Sequence, residues 1–159
     1  MKTKHIGELL LALIIAPFAG IARALAPMGV DALNVQGTHT DSITRTAEGA
    51  LSAHLLVANG TTAGTQVKPC TASLRPLGTV YDDAADAALV TVELLTTGGT
   101  RLVIASKAIA AGVRVYATAG GKVTDAVVTG AYLVGESLTA ASGDGKELEI
   151  MPLSPVVNP

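Results

Sequence analysis

The sequence predicts a mainly β protein: a duplicated small β-barrel or β-sandwich of short strands behind an N-terminal helical arm. Three observations predict it. Two stretches, from about Ala47 to Leu95 and from about Ala105 to Leu153, carry nearly the same pattern, as one β unit used twice and packed against itself would. Short runs of Val, Leu, Ile and Ala are punctuated by 17 Gly and 7 Pro, the mark of short strands and tight turns. The first 26 residues are apolar at helical spacing, unlike the text that follows.

The duplication is legible residue by residue. Pro76 to Ala85 lines up with Leu133 to Ser142, which sets Gly78 opposite Gly135. Past a one-residue slip, Val90 to Leu95 lines up with Leu148 to Leu153, which sets Val92 opposite Ile150. Upstream, Gly64 to Val67 stands opposite Gly121 to Val123. Neither half carries an evident reacting group, so the repeat points to a scaffold.

Residues 1–30 read as the arm. Ala12, Ala16, Gly20 and Ala24 form a small-residue stripe, and Leu10, Ile14, Phe18, Ile21 and Leu25 form a greasy stripe beside it, the candidate partner-binding surface. Pro17 kinks or splits the helix, and Pro27 and Gly29 end it. Lys2 and Lys4 ahead of an apolar run, with Ala22-Arg23-Ala24 and Ala24-Leu25-Ala26 behind it, also follow the grammar of a secretory signal peptide. Glu8 and Arg23 depart from that grammar. The run from Leu9 to Ala22 is shorter than the ~20 residues of a membrane-spanning helix. Small residues four apart make a helix dimer face in a bilayer. In a soluble assembly they let an arm lie flat on a neighbour, and the arm is the expectation here.

Residues 31–46 are polar and Thr-rich without periodicity, and read as a linker or extended strap. Residues 47–153 read as the duplicated β domain. Strands are expected over Leu51 to Val57, Gln66 to Ala72, Gly78 to Tyr81, Ala88 to Leu95, Arg101 to Ala105, Gly112 to Ala117, Lys122-Val123, Tyr132 to Leu138 and Glu147 to Met151. Asn59-Gly60, Ala63-Gly64, Thr97-Gly98-Gly99 and Gly120-Gly121 mark turns. Asp82 to Ala87 and Ala140 to Gly145 read as short helical turns or loops. Leu102, Ile104, Val113, Val115, Leu133, Leu148 and Ile150 are the expected core of the second half. Residues 154–159 read as a Pro-rich tail.

Composition argues against several functions. A net charge of −2, no basic run and few aromatics leave nucleic-acid binding without its electrostatic footprint or its stacking platform. Cys70 is the single cysteine, so no internal disulfide forms. His5, His39 and His54 lack partners at metal-ligand spacing, and no metal or other cofactor is expected. Asp82, Asp83 and Asp86 lack the pattern of a calcium loop. No Gly-x-Ser-x-Gly elbow or P-loop is present, so no catalytic residue is assigned and no enzyme is expected. Asn59-Gly60-Thr61 fits a glycosylation sequon but is first a turn signal. With only 15% charged residues, much small or apolar surface is left for a partner protein to cover.

The second half resembles the bacteriophage capsid decoration, or cement, proteins. The resemblance rests on Ala108 to Tyr116, Gly120-Gly121-Lys122-Val123, Tyr132 to Gly135 and Leu138 to Gly145. The first half matches more loosely through Leu55 to Val57, Pro76 to Gly78 and Asp82 to Val92, so that residues 46–153 are covered. The resemblance implies a β-rich virion protein on the capsid surface. It would bind the major capsid protein, stabilise contacts between neighbouring capsid subunits and self-associate into homo-oligomers there. The hydrophobic N-terminal segment lies outside the family pattern. The alternative is an exported or membrane-anchored bacterial surface protein, secreted or membrane-associated, with a signal or anchor ahead of its β domain.

Overall fold

Strands begin at β1 (Ser42–Ala47) and continue through β2 (Leu56–Asn59), β3 (Gln66–Pro69), β4 (Gly78–Val80) and β5 (Leu89–Leu94). A second set follows: β6 (Arg101–Ile104), β7 (Arg114–Ala117), β8 (Val123–Thr124), β9 (Tyr132–Ser137) and β10 (Glu147–Val157). This is a computed structural model, and it describes residues 41–159. The expected arm, with Leu10, Ile14, Phe18, Ile21 and Leu25, lies outside the described residues, as does the linker up to residue 40. The described residues are mainly β, and their one helical element is a 3-10 turn at Ala119–Gly121.

The first five strands close into a barrel in the order β1-β3-β2-β4-β5, with β5 returning to β1. The second five form a sheet ordered β6-β10-β9-β7-β8. Its edges meet at one parallel bridge between Ala105, just past β6, and Val123 of β8, so that the sheet rolls into a second, less complete barrel. Both sets belong to one compact unit. Alternation explains the short strands. Val90 and Val92 of β5 point inward between exposed Leu89 and Thr91, as period-two geometry requires.

The registers of the two sets correspond position by position. Gly78, Thr79 and Val80 pair with Leu94, Glu93 and Val92, while Gly135, Glu136 and Ser137 pair with Pro152, Met151 and Ile150. Val57 faces Gly78 as Val115 faces Gly135. Arg45 faces Val90 as Val103 faces Leu148. The parallel pair Ala47–Val67 returns as the bridge Ala105–Val123, and the bridge Leu51–Ala84 returns as Ile109–Ala141. Gly78 and Gly135 show why the match is tight. A Cβ on Gly78 would strike the Glu93 carbonyl and approach Val92 Cγ1 at 2.7 Å, and one on Gly135 would strike the Met151 carbonyl and approach Ile150 Cδ1 at 3.3 Å. Only glycine lets β4 and β9 lie this close to their neighbours.

Several expectations need correction. Residues 42–46, expected as linker, belong to β1, because Ser42 to Thr46 find a complete antiparallel partner in β5. Residues 154–157 of the expected tail belong to β10, which runs on through Val157. Pro152 and Pro155 are accommodated beside an irregularity between Pro152 and Val156, where the pairing with β9 shifts and amide donors are not required of every residue. The strand expected over Leu51 to Val57 begins only at Leu56, since His54 adopts φ 63° and breaks the extended run. Asp82 to Ala87 and Ala140 to Gly145 are loops carrying the isolated bridges. In the second core, Val115, Leu148 and Ile150 are buried as expected. Leu102 is 40% exposed, because the inward positions of β6 belong to Arg101 and Val103. Ile104, Val113 and Leu133 are half-buried.

Candidate interaction surface

The first barrel's interior is the apolar cluster of Ala47, Leu51, Val57, Val67, Val80, Val90 and Val92. Leu56 and Ala58 flank Val57 on β2, so alternation turns them to the outside of that barrel. They are nevertheless 0% and 2% exposed, because together with Cys70 and Leu95 they join the second set's cluster around Val103, Val115, Leu148 and Ile150. Thr79, in register with Leu56 and Glu93, is buried with them. One outer face of the first barrel is therefore the seat of the second.

The seam has specific fastenings. Gly121 donates its N–H to the Cys70 carbonyl at 2.9 Å, and Tyr132 donates to the Ala72 carbonyl at 3.2 Å. At Gly121 a Cβ would meet the Leu56 carbonyl at 2.6 Å and Leu55 Cβ at 3.2 Å, so the 3-10 turn sits directly on β2. The Cys70 Sγ donates to the Leu74 carbonyl at 3.1 Å, and burial pushes its thiol up to about 12. That holds the thiol neutral and unreactive. Arg101 secures the connection between the barrels, its guanidinium donating to the Thr100 and Leu94 carbonyls and to Thr97 Oγ1. His54 Nε2 lies 3.6 Å from the Glu147 carboxylate.

Among the described residues, the corresponding outer face of the second set is covered only in part, with Tyr116 6% exposed. Arg114, Glu136 and Met151 share one register row, and Tyr116, Leu133 and Val156 another. Arg114 is exposed, Met151 is 46% exposed and Leu153 is 38% exposed. Tyr116 lies at the floor of a groove formed with Arg114, Leu133, Val156 and Asn158. Val127 and Val128 stand exposed in the preceding loop, which Asn158 ties to the end of β10 by accepting from Gly130 and donating to the Ala131 and Val128 carbonyls. A mixed face of exposed apolar side chains around one arginine fits protein–protein contact.

A second groove lies where the first barrel meets β10, lined by Asn59, Arg75, Pro76, Leu77, Leu94 and Pro155. Beside it is the β2–β3 turn. The Glu48 carboxylate accepts from Thr61 N–H and, at 2.8 Å, from Thr61 Oγ1. Those hydrogen bonds hold the carboxyl below its usual range. Among the described residues no group of three or more His, Cys, Asp or Glu is placed to hold a metal ion, and no helix is long and apolar enough to cross a membrane. Asp82, Asp83 and Asp86 serve the backbone instead: Asp83 accepts from Ala53 N–H and Asp86 from Gly49 N–H, each at 2.8 Å.

The family model for phage cement proteins matches residues 35–152. The chain belongs to the phage cement protein family. The match spans both barrels and begins just ahead of β1. Among solved structures, the chain is similar to the N base of the head fiber gp8.5 in bacteriophage phi29. The TM-score is 0.61 at 16% identity, covering 74% of this chain and 98% of that one, a likeness of fold. No curated protein matches the sequence.

Sequence reasoning named the arm as the candidate partner-binding segment, which lies outside the described residues, and did not single out the Arg114–Met151–Leu153 face. A signal was present. Where the two halves align, Leu56, Ala58 and Glu93 are replaced by Arg114, Tyr116 and Met151. Inward positions of these strands stay apolar while the outward ones change chemistry, which marks the two outer faces as having different neighbours.

Proposed function

We propose that this chain is a structural virion protein that binds the outside of a phage capsid and stabilises contacts between neighbouring major capsid proteins. The observation that carries this reading is the cement-family match over residues 35–152. The architecture supports it: two short-stranded barrels share a buried seam, which makes a rigid body that needs no reacting group to act as a clamp. In this reading the chain is one β unit used twice, with its repeats over about 47–95 and 105–153. Residues 1–30 form the arm, and Leu10, Ile14, Phe18, Ile21 and Leu25 anchor it on the shell. Burying several such side chains at roughly 1.5–3 kcal/mol each offsets the entropy of ordering the segment.

Co-sedimentation with assembled shells tests the reading. The full-length chain pellets with shells made of the major capsid protein alone and raises the temperature at which they come apart. A chain lacking residues 2–28 keeps its β fold and loses most of that binding. Full-length protein that stays in the supernatant overturns the capsid function. Truncated protein that binds as tightly as the full chain overturns the arm as anchor.

A further inference from the structure

Of the three asparagines in the chain, Asn59 alone is followed by glycine. An Asn-Gly pair is chemically labile. The glycine amide nitrogen attacks the asparagine Cγ, ammonia leaves, and water opens the resulting succinimide ring to aspartate or isoaspartate. Glycine has no side chain to hinder the attack. Asn59 is exposed at the end of β2, so water reaches its side chain. The fold nevertheless holds back the attacking atom. The Gly60 N–H donates to the Gln66 carbonyl at 2.8 Å, which keeps the nitrogen protonated and aimed across the hairpin. The Glu48 carboxylate lies so close to Gly60 that a Cβ there would meet Oε2 at 2.5 Å. Its negative charge opposes the amide anion that must form before attack. Thr61 fixes Glu48 in place by donating both its N–H and its hydroxyl. Asn59 pairs with Val67 in the ladder, which keeps its backbone extended and resists the rotation that ring closure needs. The second barrel has Ala117-Thr118 at the matching place, with the Thr118 N–H donating to the Lys122 carbonyl at 2.9 Å. The same turn is chemically inert there.

We propose that Asn59 is a latent modification site, which deamidates when the β2–β3 turn opens and stays intact while the turn is shut. The net change consumes one water and releases one ammonia, with no oxidant or reductant. Conversion puts a new carboxylate into the groove that Asn59 shares with Arg75. The isoaspartate product also adds a carbon to the main chain of β2 beside its Val67 partner, so the turn cannot close again in its old register. The first barrel therefore ages through its own openings. Nothing in this depends on the capsid reading.

The test holds full-length protein at mildly alkaline pH, with and without unfolding urea, and follows the peptide containing Asn59 by mass spectrometry. The unfolded chain is expected to convert Asn59 at least about tenfold faster than the folded one, as protection by local closure requires. Glu48→Gln removes the charge beside Gly60. It is expected to speed conversion in the folded protein by about threefold or more and to leave the rate in urea unchanged. Gly145→Ala, a strained change in the second barrel, separates opening of this turn from a general loss of stability. It is expected to convert within about twofold of the parent's folded rate. Four results overturn the proposal: equal rates with and without urea, an Asn59 that stays intact in both, Glu48→Gln converting as slowly as the parent, or Gly145→Ala converting as fast as Glu48→Gln.

Discussion

Ala87 and Gly145 occupy the same backbone position in the two barrels. Their φ angles are 61° and 74°, and their N–H groups donate to the carbonyls of Ala47 and Ala105 at 2.9 and 2.8 Å. The left-handed conformation suits glycine and strains alanine by roughly 1–2 kcal/mol. Glycine forfeits part of that gain through the greater freedom of its unfolded chain. Ala87→Gly should therefore stabilise the protein by about 0.5 kcal/mol, and Gly145→Ala should destabilise it by about 1 kcal/mol. Urea melts of both variants check the opposite signs.

Ser137 stands where the first barrel has Val80, and the exchange has a local cause. The Ser137 hydroxyl, in a residue 1% exposed, accepts from Val113 N–H at 3.0 Å and donates toward the Ala110 carbonyl at 2.8 Å. Ser137→Val strips a partner from both and should cost about 1–3 kcal/mol despite its added apolar surface. A variant as stable as the parent would mean the turn finds other partners.

Leu148 and Leu102 lie on paired strands but on opposite faces, 1% and 40% exposed. Leu148→Ala should cost about 2–5 kcal/mol and Leu102→Ala less than about 1 kcal/mol. Equal losses in denaturant titrations would place Leu102 in a buried contact.

Gly78→Ala and Gly135→Ala should each cost about 3 kcal/mol, the upper end of overpacking costs, because the new methyl meets backbone rather than a movable side chain. Similar losses at both sites would show that the two glycines do the same work. A tolerated alanine at either would mean its strand can move outward.

Cys70 makes a pH prediction. Its thiol is raised from 9.0 to about 12 by burial in the seam. Above pH 9 the unfolded chain releases this proton while the folded chain keeps it, so the unfolded state gains. The stability this group contributes is whole below pH 9 and falls as pH rises toward about 12. Melting temperatures of the parent should drop more steeply over that window than those of Cys70→Ala. Native protein should label slowly with a thiol reagent until the seam opens, and fast labelling would overturn the buried assignment.

Strand positions, turn positions and the alignment of the halves could be read in the sequence because they are local. Gly78, Val92 and their counterparts report on period-two packing and on close backbone approach, which depend on a few neighbours. The limits of β1 and β10 could not be read. Ser42 to Ala47 is polar text that becomes a strand only because β5 offers it an edge. Pro152 to Val157 is proline-bearing text that becomes a strand only because β9 lies alongside.

By itself the sequence determined a β scaffold of repeated short strands and the resemblance to capsid cement proteins, since both are written in residue order and spacing. Tertiary structure alone decided which outward faces are covered. Leu56 and Leu153 look alike in the text, yet one is sealed in the seam and the other stands 38% exposed. That difference comes from where the second barrel lands, a long-range packing outcome that no local pattern of residues encodes.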